Sequence, residues 1–289
     1  MTTYSALTIL AGEDAAYAMA DAIEAILPEP TGVGAFEIED GSGLWEVAVY
    51  FDQTPDAAAL ATYAQEFDAK EFVVSDIPDQ DWVSKVRREL APVEAGRFFV
   101  YGSHDADKVP EDATGLLIEA AMAFGTGHHG TTLGCLQAFD TLLIEGFAGK
   151  RIADVGCGTA VLAMAAAAAL DARVLASDID PVAIDVAVAN LAANGMDGEV
   201  ECVVCAGFDH EVLSQAAPFD LGLANILKRP LMALATDMGR MICKGGFAIL
   251  SGILNEQADA VVAAYTAQGF DVKIQNVVNE WTTLVLLRS

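Results

Sequence analysis

Arg151-Ile152-Ala153-Asp154-Val155-Gly156-Cys157-Gly158-Thr159 is an apolar run that ends in two glycines one residue apart, and its reading decides the fold. The run predicts a strand over 151–155, a turn through the glycines and a helix over 159–170. Glycines at such a turn let the backbone approach a ligand closely, and the helix N-terminus that follows favours negative groups. A second strand over 173–178 ends in Ser177-Asp178-Ile179-Asp180-Pro181. A carboxylate some twenty residues after a glycine turn can accept both hydroxyls of a ribose. Loop, spacing and acid together point to an adenosyl ligand. A dinucleotide-binding fingerprint would need a third glycine where this chain has Val161, and an acidic rim suits a cation such as a sulfonium better than a pyrophosphate.

Downstream, apolar strands over 199–204, 219–224 and 246–251 alternate with helices over 181–194, 229–242 and 255–268. Strands that are apolar on both faces belong to a parallel sheet covered by helices on either side. Two strands without a helix between them, 270–277 and 282–287, close the chain. The architecture expected is α/β: a doubly wound, Rossmann-like sheet ending in an antiparallel hairpin, over residues 116–289. Asn225 stands at the end of the fourth strand, where strand ends face the ligand crevice. An asparagine there offers a carbonyl acceptor to a substrate amine, and it is also a common turn residue.

Upstream, residues 1–77 read as strand (4–10), helix (13–27), strands (36–39 and 44–51), a helix opened by Pro55 and running through Phe67, and a strand (71–77). In the first helix Tyr17, Met19, Ile23 and Ile26 supply the larger apolar groups, and Asp40-Gly41-Ser42-Gly43 signals a hairpin turn. The order β-α-β-β-α-β is that of a ferredoxin-like α+β unit. It contains no phosphate loop and no acid–base cluster, so it reads as a recognition or scaffold module. Residues 78–115, broken by Pro78, Pro92, Gly96, Gly102 and Pro110, read as a linker with one helix over 81–90 that carries Lys85, Arg87 and Arg88.

The 289 residues are 54% apolar and 20% charged, which suits two folded domains and argues against intrinsic disorder. Acids outnumber bases 42 to 15, a formal charge of −27. Such a surface repels phosphate backbones, so no direct nucleic-acid binding is expected. It attracts basic partners, and it also keeps an alanine-rich chain soluble. Neither a membrane span nor a signal peptide is read. Cys135, Cys157, Cys202, Cys205 and Cys243 are odd in number and scattered, which suits reduced thiols. Cys202 and Cys205 form a C-x-x-C inside an apolar strand pattern rather than at a helix start, and no second pair accompanies them, so they read as structural thiols. No metal site is expected, His128 and His129 having no carboxylate at ligand spacing.

The loop D-V-G-C-G-T followed by S-D-I-D-P resembles the cofactor loop and ribose acid of class I S-adenosylmethionine-dependent methyltransferases, which usually continue G-C-G-S-G where this chain has Ala160. Ala123-Phe124-Gly125-Thr126-Gly127-His128-His129-Gly130-Thr131-Thr132 resembles a signature that precedes this core in one bacterial family, the methyltransferases of the large-subunit ribosomal protein numbered eleven. His128 and Gly130 stand where relatives often carry Thr and Pro. Ala224-Asn225-Ile226-Leu227 is similar to that family's catalytic-strand motif, and Asp81-Trp82 and Leu250-Ser251-Gly252-Ile253-Leu254 agree. The resemblance spans residues 81–255 by motif and the whole chain by domain order.

It implies S-adenosyl-L-methionine as cofactor, methylation of lysine side chains and the N-terminal amine of that ribosomal protein, and a cytoplasmic enzyme. Thr132, Gly156, Asp178 and Asn225 are implied as cofactor contacts, with Asn225 also the catalytic residue that aligns the amine. Gly158 joins them from the glycine loop. Phe124, Gly125, Thr126 and Gly127 join them as a turn able to fold over the cofactor, the phenyl ring excluding water. Thr126, Thr131 and Thr132 offer hydroxyls, and the last two also suit the cap of a helix over 133–143. Other readings on the same sequence are a class I methyltransferase of a small molecule or nucleic acid, an NAD-dependent oxidoreductase, and a non-catalytic adenosyl-ligand-binding protein.

Overall fold

The structure, a computed structural model, describes residues 3–38, 43–77, 92–118 and 129–289, and the chain divides into two units, Met1–Lys85 and Val86–Ser289. In the first unit β1 (Thr3–Ala11), α1 (Glu13–Ile23), β2 (Gly32–Glu37), β3 (Leu44–Phe51), α2 (Ala57–Glu66) and β4 (Val73–Ile77) follow the expected order. The strands form one antiparallel sheet in the order β2-β3-β1-β4. Alternate residues of the central strands, among them Ala6, Leu10, Val47, Val49 and Phe51, pack against Met19 and Ile23 of α1 and Leu60 of α2. α1 stops short of Leu27. The Ala25 and Ile26 amides bond only three residues back, and the residue before Pro28 disfavours helical backbone. Tyr17 is 44% exposed and leans on the Trp45 ring instead of entering the core. α2 starts after Pro55, because the Asp56 side chain accepts the Ala58 and Ala59 amides as an N-cap.

In the second unit the stretch expected as linker carries three short strands, β5 (Val93–Ala95), β6 (Phe98–Tyr101) and β7 (Thr114–Leu117), in one sheet. The helix expected over 81–90 lies outside the described residues. α3 (His129–Ile144) packs on this sheet: Phe139 stacks on Phe98 at 5.7 Å, and Asp140 pairs with Arg97.

The main sheet is built from β8 (Arg151–Val155), β9 (Arg173–Asp178), β10 (Val200–Val204), β11 (Phe219–Asn225), β12 (Ile242–Leu254), β13 (Phe270–Val278) and β14 (Trp281–Arg288). Its order is β10-β9-β8-β11-β12-β14-β13, parallel through β12 and antiparallel over the last two strands. α4 (Val161–Ala169) and α5 (Pro181–Ala193) cover one face together with α3. α6 (Glu211–Ala216), α7 (Lys228–Met241) and α8 (Ala258–Thr266) cover the other. Successive strand residues serve opposite faces: Ile152 packs with the first set of helices and Ala153 with the second. This is the doubly wound arrangement with a closing hairpin that the apolar strands imply. Among the described residues no helix is long and apolar enough to cross a membrane.

Candidate active site

β8 lies inside the sheet between β9 and β11, so the loop leaving its C-terminal end opens beside two other strand ends. Hydrogen bonds shape that loop. The Gly156 and Cys157 amides both donate to the Ser177 carbonyl at the end of β9, at 2.7 and 3.0 Å. The Gly158 amide donates to Asp178 Oδ2 at 2.9 Å, and the Asp180 amide donates to Asp178 Oδ1 at 3.0 Å. Each Asp178 oxygen thus accepts one backbone N–H and keeps acceptor capacity for a second donor. A pair of vicinal hydroxyls is a donor set that fits it.

Gly156 and Gly158 have φ of +70° and +51°, a region that favours glycine. No heavy atom of a described residue lies within 4 Å of the position a β-carbon on Gly158 would take. Open space over a backbone amide beside a half-occupied carboxylate suits a ribose-bearing ligand. Ala160 adopts φ +62° as the N-cap of α4, so alanine here holds a left-handed turn, a conformation that favours glycine.

Asp154, quoted in the sequence motif without a role, lies beneath the loop and is buried. Its Oδ2 accepts the Ala163 amide at 2.9 Å and so caps α4 from the neighbouring strand. Burial pushes its carboxyl up to about 7; the Ala163 hydrogen bond opposes the rise and the Asp178 charge adds to it. Asn190 of α5 donates to the Thr159 carbonyl at 3.1 Å and holds the loop from the far side. Its signal in the sequence was a lone amide on an otherwise apolar helix face.

Asn225 is the last residue of β11 and pairs with Ser251 of β12. On its other side β11 pairs with β8 through Leu223 and Asp154. Carried on by two residues, that register sets Asn225 level with Gly156. Sheet order therefore brings Gly156, Gly158, Asp178 and Asn225 to one edge.

Thr132 lies half-buried in the first turn of α3, and Thr131 is fully buried there. α3 already includes His129–Leu133, so both threonines are inside it rather than ahead of it as caps. One turn on, Cys135 is buried in one core with Ile152 of β8, Leu223 of β11 and Ile249 of β12, which joins α3 to the same sheet. Phe124, Gly125, Thr126 and Gly127 lie outside the described residues.

The five cysteines are free thiols. Cys202 is in β10 and Cys205 just beyond it, and burial pushes both thiols up, Cys202 to about 11. A redox-active thiol is instead lowered by a helix start or a cation.

A sequence model of the family described as ribosomal protein L11 methyltransferase (PrmA) matches residues 6–289. A ribosomal protein L11 methyltransferase of Rhodopseudomonas palustris strain BisB5 is 44% identical over 261 residues, 89% of this chain and 88% of that one. One from Bradyrhizobium diazoefficiens is 41% identical over 290 residues, 98% and 97% of the two chains. Among solved structures, a ribosomal protein L11 methylase from Lactobacillus delbrueckii subsp. bulgaricus superposes with a TM-score of 0.62 at 24% identity, covering 69% of this chain and all of that one.

Proposed function

The chain belongs to the ribosomal protein L11 methyltransferase family, and from that premise we propose that it transfers methyl groups from S-adenosyl-L-methionine to amines of ribosomal protein L11, at lysine side chains and the N-terminus. The observation that carries the reading is the Asp178 carboxylate, held by the Gly158 and Asp180 amides beside an open glycine turn.

When bound, S-adenosylmethionine supplies a methyl group already activated on a sulfonium. What remains for the protein is orientation and proximity, the terms that intramolecular reactions show to be large. Asp178 is placed to accept the ribose hydroxyls, and the open space over Gly158 leaves room for the rest of the ligand. Asn225 offers its side-chain carbonyl to the incoming amine and turns the nitrogen lone pair toward the loop. A lysine of pKa about 10.4 must first lose a proton, which at neutral pH costs roughly 4–5 kcal/mol. Desolvation at this edge lowers that cost, since burial favours the neutral amine. Water can then accept the proton, so no side chain of the site needs to act as a base. Phe124, Gly125, Thr126 and Gly127 complete the reading as residues proposed to shield the cofactor from solvent, with Thr132 as a further cofactor contact.

Residues 1–77 are read as a ferredoxin-like recognition module for the ribosomal protein. Their sheet order β2-β3-β1-β4 supports this. The charge of −27 supports a basic protein substrate over a nucleic acid. The cytoplasm, where ribosomal proteins are made, is the compartment this substrate implies.

Purified chain incubated with L11 and methyl-labelled S-adenosylmethionine tests the whole reading. Label in L11 lysines and its N-terminal amine is the expected result. No uptake of S-adenosylmethionine by calorimetry, or label only in RNA or a small molecule, overturns it.

A further inference from the structure

Ile226, which follows Asn225, sits in a notch made by two glycines, Gly156 just past the end of β8 and Gly252 in β12, the strands that flank β11. On the β8 side, a β-carbon at Gly156 would stand 2.4 Å from Ile226 Cγ2. On the β12 side, a β-carbon at Gly252 would stand 2.4 Å from the Ile226 carbonyl oxygen and 2.9 Å from its nitrogen. Gly252 has φ +84°, so its conformation favours glycine as well. The Ile226 amide donates to the Ser251 carbonyl at 3.2 Å, and the side chain packs partly buried against the core under α6, α7 and α8. A β-branched side chain has little freedom at χ1. Ile226 therefore moves as one piece with the backbone that carries Asn225.

We propose that Ile226 is a positioning residue: wedged between Gly156 and Gly252, it sets the spacing between the glycine loop and Asn225, and with it the distance from methyl donor to amine. This rests on the reading of those two elements as donor site and acceptor site. Neither neighbour can relax cheaply. At Gly252 the opposing atoms are backbone, and at Gly156 they belong to a stiff side chain. A misplacement of about 1 Å costs an in-line transfer on the order of 100-fold, so the wedge acts on turnover more than on cofactor affinity.

Ile226→Ala removes Cγ2 and opens the notch, whereas Ile226→Val keeps both γ-carbons. For Ile226→Ala the expected result is a kcat lower by about 10–100-fold, with the calorimetric Kd for S-adenosylmethionine within about threefold of the parent. Ile226→Val should restore kcat. A second pair of variants probes the same contact. Gly156→Ala meets two obstacles, the left-handed backbone at φ +70° and the Ile226 side chain, so adding Ile226→Ala should recover part of the cofactor affinity that Gly156→Ala loses. Parent-level kcat in Ile226→Ala overturns the proposal, as does an equal fall of kcat and Tm in the Ala and Val variants. A parent chain that fails to bind S-adenosylmethionine or methylate L11 instead overturns the reading beneath it.

Discussion

Around Gly156–Gly158 the backbone is tied down by hydrogen bonds, three amides donating to Ser177 and Asp178, whereas around Asn225 the chain is held by exclusion, with Ile226 filling the space that Gly156 and Gly252 leave. The first half is sensitive to loss of an acceptor and the second to change of volume. If the first half binds the donor and the second aims the amine, substitutions in the two halves should separate affinity from turnover. Asn225→Ala should give the largest effect, lowering kcat by about 10²–10³, the range found when one oriented polar group is removed from a reacting centre. Its calorimetric affinity for S-adenosylmethionine should stay close to that of the parent. A parent-like kcat would remove the distinction between the halves.

Asp178→Asn addresses the other half. One oxygen becomes an amide that must face the Gly158 or the Asp180 N–H, and the charge that hydroxyls bond to is gone. A hydrogen bond to a charged group contributes about 1.5–3 kcal/mol. The Kd for S-adenosylmethionine should therefore rise on the order of 10–100-fold, while kcat at saturating cofactor falls much less. An affinity unchanged by calorimetry would detach Asp178 from the ligand and leave it as a loop anchor.

The two halves were also unequally legible in the sequence. Gly156, Gly158 and Asp178 were readable because a strand, a tight turn and an acid at fixed spacing form a local pattern, and the doubly wound sheet followed from the same alternation. The wedge was not, since Gly252 touches Ile226 only because β12 lies beside β11. Its one local sign was a glycine inside an apolar strand, which marks a close backbone approach without naming the partner. The strands β5–β7 escaped for a related reason: three or four residues each, set among prolines and glycines, they owe their order to α3 packing on them. α6 was missed because its six residues are too few to show a helical period. Asp154 stands in the same local motif, but its burial and its cap on α4 depend on tertiary structure.

Asp154 tests how dry the floor of the first half is. Its carboxyl is raised from 3.8 to about 7 by burial, so the folded state holds the proton more tightly than the unfolded state does. The stability this gives is complete below about pH 4 and is lost as pH rises toward 7. Asp154→Asn keeps an oxygen for the Ala163 amide and does not titrate. Its Tm should gain on the parent's by a few degrees between pH 4 and 7, and the gap should level off above that. A gap independent of pH would mean that water reaches the carboxylate and that this half is not sealed beneath the loop.

The smallest effect is expected at Ala160, where two terms oppose each other. Left-handed backbone costs a non-glycine residue about 1–2 kcal/mol, and Ala160→Gly would release that strain. The same change removes a methyl group that is fully buried, worth about 0.8 kcal/mol, and gives the unfolded chain back its freedom at a cost of about 0.4–1 kcal/mol. The sum is within about 1 kcal/mol of zero, which explains how an alanine can stand at a left-handed position that favours glycine. Urea unfolding should show a midpoint close to the parent's, with cofactor affinity unchanged. A large gain in stability would mean that the loop stores strain at 160, and a loss of affinity that the methyl group helps shape the pocket. The second result would show that the hydrogen-bonded half, like the wedge at Ile226, depends on volume.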